Sequence, residues 1–182
     1  MSSDKRVILN SSQIDAALDD IVTKILQKNR QAGQLAVVGI HTCGVFLAKR
    51  IRRIIQKRNG IEIPYGSLDI NLYRDDWSRI TQSPVVKTTD IPFEVEDKHL
   101  ILVDDVFFTG RTIRSAMDAL MDYGRPKSIQ LAILVERDGR ELPIRTDYVG
   151  MDTIMHGAEN IQVLLTERDE RDEVIVERRA ET

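Results

Sequence analysis

The chain has 182 residues and a net charge of −3, with 42% hydrophobic and 30% charged residues, as in an ordinary soluble globular domain without general attraction for nucleic acid. The single cysteine, Cys43, excludes an internal disulfide and a cysteine-rich zinc site. Because no apolar run is long enough to span a membrane and residues 1–10 lack a signal-peptide core, we expect a cytoplasmic protein without membrane contact.

The N-terminal part of the chain predicts a strand followed by a helix. Residues 7–9 are apolar and predict either a short strand or a hydrophobic staple before the helix. Apolar residues spaced for one helix face run over 14–25, with Ser11 or Ser12 as the cap and Gly33 past the end. The other face mixes both charges, as solvated helix faces do: Asp15, Asp19, Asp20, Lys24, Lys28 and Arg30.

A second strand and helix follow directly. Residues 35–40 form an uninterrupted apolar run and predict a buried strand, which leads into the loop 41–44. An apolar stripe over 45–55 predicts a helix, with Gly60 after its end. Backbone N–H groups of the loop could hold phosphate oxygens without help from side chains.

Two more segments precede the middle of the chain. Residues 68–73 alternate apolar and polar side chains, which predicts a strand with one wet face. The polar stretch 74–92 is too long for a tight turn, and we interpret it either as a lid or as an inert surface hairpin.

The middle of the chain combines a strand, acidic residues and a helix start. Residues 100–103 predict a buried strand, and Asp104 and Asp105 follow as an acidic turn. A loop with glycine and hydroxyl groups, 109–112, then leads into an amphipathic helix over 113–121. The order is therefore strand, carboxylates, loop and helix N-terminus.

This order predicts a site for a sugar phosphate. A helix N-terminus binds anions through its unpaired N–H groups, and Gly110 allows close approach of the backbone. The two aspartates would repel a phosphate unless they meet ribose hydroxyls or Mg²⁺. The alternative interpretation is a tight turn with a capping threonine and two solvated aspartates.

The remaining segments complete an α/β pattern. Residues 128–135 are continuously apolar, as in the interior of a parallel sheet, and 147–151 predict another short strand. Residues 161–165 and 174–176 predict strands of a small antiparallel hood. Since strands and helices alternate, we expect an α/β fold with a central parallel sheet flanked by helices.

Residues 100–112, L-I-L-V-D-D-V-F-F-T-G-R-T, resemble the phosphoribosyl-pyrophosphate (PRPP) motif of type I phosphoribosyltransferases. Three further stretches, 68–76, 124–126 and 141–145, resemble the PyrR family of pyrimidine regulatory proteins. The match runs in order over nearly the whole chain. It implies the type I phosphoribosyltransferase fold for a single domain.

The resemblance implies boundaries within this domain and two activities. The domain would span 1–182, with a core over about 1–150, a hood formed by the C-terminal strands and a flexible catalytic loop over about 74–92. The activities would be uracil phosphoribosyl transfer, with PRPP and Mg²⁺, giving UMP and pyrophosphate, and control of pyrimidine genes through messenger RNA. We expect UMP and UTP as ligands, and a homodimer or homotetramer.

The resemblance also implies the residues of the site. The catalytic residues would be Asp104, Asp105 and Arg74, with both aspartates serving Mg²⁺ mostly through PRPP and water. The residues that bind PRPP or UMP would be Thr42, Cys43, Gly44, Val106, Phe107, Phe108, Thr109, Gly110, Arg111, Thr112, Arg137 and Val163. Among these, the backbone near Val163 would recognise the base.

The chain departs from the family pattern at several positions. Cys43 replaces the arginine of a Thr-Arg-Gly sequence, which removes a cation from the pyrophosphate loop. Phe108 stands where purine-using relatives carry a carboxylate, which favours a pyrimidine base. The position near Gly139 lacks a histidine linked to RNA, the first helix is acidic, and the loop 152–160 diverges.

Three hypotheses remain open from the sequence. The protein is a uracil phosphoribosyltransferase, with or without RNA control; or a non-catalytic or weakly catalytic regulator that senses nucleotides and binds RNA; or a nucleotide-binding protein without either activity. Turnover of uracil and binding of RNA distinguish among them.

Overall fold

In the residues that the computed structural model describes, 5–74, 88–156 and 159–178, five strands pair in parallel to form a central sheet. A separate three-stranded sheet is antiparallel. The elements in chain order are β1 (Lys5–Leu9), α1 (Ser11–Lys28), β2 (Leu35–Ile40), α2 (Cys43–Asn59), β3 (Tyr65–Leu68), β4 (His99–Phe107), α3 (Arg111–Met121), β5 (Ser128–Arg137), β6 (Tyr148–Thr153), β7 (Glu159–Leu164), α4 (Thr166–Asp169) and β8 (Glu173–Arg178).

The central sheet has the strand order β3-β2-β4-β5-β6, which confirms the predicted parallel α/β architecture. All six residues of β2 are buried, because helices cover both faces of the sheet. Val37 and Ile101 face the layer of α1 and α2, whereas Val38 and Leu102 face the layer of α3. The carboxyl ends of β2, β3 and β4 therefore meet at one edge of the sheet.

The helix ends follow local rules, with one correction. Asn10, not Ser11 or Ser12, caps α1: its side chain accepts from the Gln13 backbone N–H at 3.0 Å, and the Gln13 side chain accepts from Asn10 N–H at 2.9 Å. The prediction was wrong because the reciprocal pair needs a glutamine three residues after the cap. Gly60 ends α2 in the left-handed conformation, as predicted.

The antiparallel sheet has the order β1-β8-β7 and forms the hood. The N-terminal strand β1 thus joins the two C-terminal strands from which the hood was expected. The inner residues Ile161, Val163, Val174 and Val176 pack in the same core as α1 and α2. This packing holds the hood against the layer that carries the start of α2.

The segment after β3 differs from its prediction. The strand ends at Leu68, and residues 71–73 form a 3-10 turn rather than the continuation of a strand. Asp69 is buried, its carboxylate accepts from the Asn71 backbone N–H at 3.0 Å, and its own N–H donates to Thr89 Oγ1 at 3.0 Å. This side-chain turn competes successfully with strand pairing, and the predicted wet face does not exist.

Most of the predicted flexible loop, namely residues 75–87, lies outside the described part of the chain. On its far side, Asp90 returns to the sheet through two backbone hydrogen bonds with Ser67, both 2.8 Å long. Among the described helices, none combines the length and the apolar character needed to cross a membrane.

Candidate functional site

A cavity of about 430 Å³ opens at the carboxyl ends of β2, β3 and β4. Ligands of parallel α/β folds dock at this edge of the sheet. The lining is mainly polar and comprises His41, Thr42, Cys43, Asp69, Ile70, Asn71, Arg74, Asp104, Asp105, Val106, Thr112 and Arg168.

The first wall of the cavity is the loop between β2 and α2. Thr42 is the N-terminal cap residue of the 17-residue helix α2, but its side chain makes no capping hydrogen bond. The backbone N–H groups at the start of α2 thus remain suited to an anion. The peptide bond between His41 and Thr42 is cis.

Gly44 brings α2 against the end of β4. A Cβ atom at this position would lie 2.4 Å from the Val103 carbonyl oxygen and 3.1 Å from Asp104 Cα. No side chain fits there without moving the helix away from the strand. Gly44 thus sets the distance between the loop and Asp104.

Asp104 and Asp105 form the floor of the cavity, and they lie within β4 instead of in a turn after it. The prediction of an acidic turn was wrong because the strand continues to Phe107 with parallel pairing to β5. Asp104 Oδ1 accepts from the Asp105 backbone N–H at 2.9 Å, and Asp105 Oδ1 accepts from Val106 N–H at 2.9 Å.

The two carboxyl groups differ in environment. Asp104 is 6% exposed, and its burial, together with the charge of Asp105, raises the pKa of its carboxyl group well above the ordinary value. Asp105 is only half-buried and lines the open part of the cavity. Asp105 is therefore the more accessible acceptor for a ligand hydroxyl.

The donor set fits a magnesium ion held mainly by its substrate. Carboxylate oxygens are suitable ligands for Mg²⁺, and a positive ion would favour ionisation of the buried Asp104. In the described part of the chain, no cluster of three or more His, Cys, Asp or Glu side chains could hold a metal ion alone. Oxygens of a bound ligand would have to complete the coordination sphere.

The second wall of the cavity is the start of α3. Gly110 is the N-terminal cap residue with φ of +92°, a backbone conformation that favours glycine. Thr109 Oγ1 accepts from the Arg111 backbone N–H at 3.2 Å, and Thr112 lines the cavity. The Arg111 guanidinium is paired with Glu141 at 2.7 Å. The loop is thus shaped for an anion at the helix N-terminus.

Eight of the predicted binding residues are not among the residues that line the cavity, namely Gly44, Phe107, Phe108, Thr109, Gly110, Arg111, Arg137 and Val163. Phe107 is 1% exposed and packs in the core below α3, so its side chain supports the loop. Phe108 is 42% exposed, and the Arg137 guanidinium stacks on its ring at 3.9 Å from the centroid. Arg137 also donates to the Glu159 carbonyl at 3.4 Å, which ties β5 to the hood.

Cys43 and Val163 meet where the loop touches the hood. The Cys43 thiol is 5% exposed and donates to the Val163 carbonyl at 3.7 Å. Its burial, reinforced by the nearby charge of Asp105, raises the pKa of the thiol to about 12. The thiol is therefore protonated and weakly reactive at neutral pH.

Sequence reasoning missed several residues of the cavity. Asp69 and Asn71 reach it because the 3-10 turn replaces the predicted strand. Arg168 enters it from α4, although it lies in a run of charged residues without a recognisable period. Arg74, which was predicted, also lines the cavity.

The chain is similar to proteins of known family over nearly its whole length. Residues 8–170 match the family model described as the phosphoribosyl transferase domain. The chain is 48% identical to the bifunctional protein PyrR of Syntrophobacter fumaroxidans, with 97% of this chain and 95% of that protein covered. The corresponding protein of Deinococcus radiodurans is 47% identical, with 94% of each chain covered.

Solved structures show the same fold at low sequence identity. A hypoxanthine phosphoribosyltransferase of Trypanosoma cruzi superposes with a TM-score of 0.73 at 15% identity, covering 95% of this chain and 91% of that one. A purine phosphoribosyltransferase of Pyrococcus horikoshii superposes with a TM-score of 0.60 at 23% identity, covering 81% of this chain and 89% of that one. These likenesses concern the fold alone.

Proposed function

The chain belongs to the PyrR family of proteins with a phosphoribosyl transferase domain, and on this premise we propose that it transfers the phosphoribosyl group of PRPP to uracil. The products would be UMP and pyrophosphate. The observation that carries the proposal is a cavity between two helix N-termini, with Asp104 and Asp105 on its floor.

The cavity offers one anion site for each phosphate group of PRPP. The 5′-phosphate would bind at the N-terminus of α3, where residues 109–112 supply backbone N–H groups and hydroxyls. The pyrophosphate would bind at the N-terminus of α2, next to residues 42–44. Arg74, which also lines the cavity, would approach the departing pyrophosphate.

The carboxylates would act on the ribose between these two phosphate sites. Asp105, the more accessible group, would accept from a ribose hydroxyl, and Asp104 would hold the Asp105 backbone in place through its hydrogen bond. Bond breaking at the anomeric carbon develops positive charge on the sugar, which nearby carboxylates stabilise. Bound Mg²⁺ would neutralise charge on the pyrophosphate, and Asp104 and Asp105 would hold it mostly through PRPP and water.

The base would be a pyrimidine. Phe108 offers an aromatic face and no carboxylate with which to address a purine amino group. The Arg137 guanidinium stacks on the Phe108 ring and places a positive charge against this aromatic face. Recognition of the base by the Val163 backbone, and contact of Arg137 with substrate, stay predictions.

The test is formation of UMP from uracil, PRPP and Mg²⁺ by the purified protein, with Asp105→Asn as the site variant. We expect turnover by the natural protein and loss of at least a hundredfold in Asp105→Asn. Asp118→Asn serves as the control, since Asp118 is an exposed carboxylate paired within α3. No UMP from the natural protein at saturating substrate would refute the proposal.

We propose binding of pyrimidine-gene messenger RNA as the second activity, because the similar relatives are described as bifunctional. The cations of α1 are poorly placed for it, since Lys24 and Lys28 pair with Asp20 and Asp147 at 2.6 Å. On α2, by contrast, one turn separates each of the exposed cations Lys49, Arg53 and Lys57, and none has a carboxylate partner among the described residues.

A binding assay with the leader RNA of a pyrimidine operon, with and without UMP or UTP, tests this activity. Arg53→Glu should weaken binding about tenfold and flatten its salt dependence, whereas Lys24→Glu should change it less than twofold. If Arg53→Glu binds the RNA no more weakly than Lys24→Glu does, α2 is excluded as the contact surface. Absence of binding by the natural protein would leave the transferase as its sole activity.

We propose a single cytoplasmic domain over residues 1–182 that assembles as a homodimer or homotetramer. Light scattering of the purified protein measures the assembly directly. A monomer at micromolar concentration would contradict it.

A further inference from the structure

Arg168 places a guanidinium group in the cavity from the hood. It is the third residue of α4 and lines the cavity together with the loop and the two aspartates. The loop 41–44 itself contains neither lysine nor arginine. Among the described lining residues, the arginines are Arg74 and Arg168, which face three carboxylates: Asp69, Asp104 and Asp105.

Contacts within the hood hold Arg168 in a defined position. Its Nε donates to both carboxylate oxygens of Asp169 at 3.0 Å, and its Nη2 donates to the Val163 carbonyl at 3.2 Å. Asp169 is itself fixed, because it accepts from the Leu165 backbone N–H at 2.9 Å. The guanidinium is thus oriented before any ligand binds.

Part of this guanidinium remains available. Within the described part of the chain, its Nη1 atom has no hydrogen-bond partner, and the side chain is 41% exposed. Arginine presents its donors in a planar fork that suits the oxygens of a phosphate. Arg168 can therefore donate from Nη1 to an anion without leaving Asp169 or Val163.

The position of Arg168 favours one end of the cavity. The carbonyl oxygen of Val163 accepts from both Arg168 and the Cys43 thiol, so the guanidinium lies beside the first residue of α2. The 5′-phosphate site is at the other helix, α3. An anion at the N-terminus of α2 is the ligand group that Arg168 can reach together with backbone N–H groups.

We propose that Arg168 binds the pyrophosphate group of PRPP and supplies the cation that the loop at Cys43 lacks. The identity of the ligand rests on the proposed transferase function. The hood therefore takes part in binding, and its α4 turn completes the pyrophosphate site beside α2.

The test compares Arg168→Gln with Arg168→Lys and with Arg171→Gln as the matched control. Arg171 lies two residues after the end of α4, pairs with Glu173 at 3.4 Å and does not line the cavity. The measurements are the KM for PRPP and for uracil, and the binding of inorganic pyrophosphate and of UMP by calorimetry.

We expect Arg168→Gln to weaken the binding of PRPP and of pyrophosphate tenfold to a hundredfold. The KM for uracil and the affinity for UMP should change less than threefold. Arg168→Lys should recover part of the loss, and Arg171→Gln should behave like the natural protein. If Arg168 has only a structural role, Arg168→Gln should weaken the binding of UMP and of pyrophosphate equally, and this result would overturn the inference.

The two proposals can fail separately. If Arg168→Gln binds pyrophosphate as the natural protein does, the role of Arg168 is refuted while UMP formation still stands on its own assay. If the natural protein makes no UMP but loses pyrophosphate binding in Arg168→Gln, the transferase proposal fails and the anion site remains.

Discussion

The ion cluster that clamps the hood to α2 allows a quantitative prediction. Arg50 donates to both oxygens of Asp172 at 2.7 and 2.8 Å, and it also pairs with Glu167 at 2.6 and 2.9 Å. Asp172 further accepts from the Thr166 backbone N–H at 2.7 Å and the Thr166 hydroxyl at 2.8 Å. The side chains of Arg50 and Asp172 are only 14% and 11% exposed.

Asp172→Asn keeps the shape of the side chain but removes its charge and turns one amide N–H₂ group toward a donor. The hydrogen bonds from Arg50, followed by those from Thr166, lower the pKa of Asp172 from 3.8 to about 2. A difference of this size corresponds to roughly 2 kcal/mol of stability at neutral pH. We expect the variant to lose about 1–2 kcal/mol of the free energy of unfolding.

The pH dependence follows from the sign of the shift. The pKa of Asp172 is lowered in the folded state. The stabilisation that its ionised carboxylate gives to the fold is therefore fully present above the ordinary pKa of 3.8 and declines as pH falls toward about 2. The measurement is urea unfolding followed by circular dichroism at pH 7, 5, 4 and 3. The difference in the free energy of unfolding between the natural protein and Asp172→Asn should be constant down to about pH 5 and roughly halved at pH 3.

The control for this prediction is Asp118→Asn, which removes an exposed ion pair with Arg114. It should cost less than about 0.5 kcal/mol at any pH, as exposed pairs do. Equal stability of Asp172→Asn and the natural protein at pH 7 would refute the account of how the hood is held.

Three further predictions concern the cavity itself. Gly44→Ala should lower the free energy of unfolding by about 1–3 kcal/mol and weaken PRPP binding, since the new Cβ would lie 2.4 Å from the Val103 carbonyl; urea unfolding with unchanged stability would contradict this. Cys43, buried and with the pKa of its thiol raised to about 12, should resist iodoacetamide at pH 8 and react only in urea; rapid labelling of the native protein would contradict its burial. Asp104→Asn should abolish turnover yet raise the free energy of unfolding at pH 7, because the raised pKa of this buried carboxyl means that its charged form destabilises the folded state; a stability loss would contradict the sign.

The sequence predicts the buried strands well. The bounds predicted for β2, 35–40, are those of the structure, because an apolar run between two polar loops suits a strand covered on both faces. The helix starts at α2 and α3 also lie where the glycine- and hydroxyl-containing loops predict them. The motif at residues 100–112 predicts both the direction of the strand and the edge of the sheet where ligands dock.

Predictions fail where side chains make local hydrogen bonds. Asp69 and Asp104 are acidic residues that a pattern of hydrophobicity assigns to a wet face and to a turn, yet both are buried. Each carboxylate is satisfied by a nearby backbone N–H, which permits its burial. Hydrophobic periodicity carries no information on such contacts.

Contacts distant in sequence are the other source of error. Arg168 reaches the loop at Cys43 because β7 and β8 fold back over the start of α2, and the two residues meet at the Val163 carbonyl. In the sequence Arg168 is one charge in an alternating run, which is typical of a solvated surface. Its position in the cavity follows from the three-dimensional structure alone.

The most direct test of the account is a competition experiment that identifies the product. The natural protein is incubated with PRPP, Mg²⁺ and equal concentrations of uracil, orotate and hypoxanthine, and the nucleotides formed are separated and quantified. UMP should be the main product, with at least a hundredfold preference over the purine nucleotide. A main product other than UMP, or no nucleotide from any base, would contradict the proposed transfer of the phosphoribosyl group to uracil.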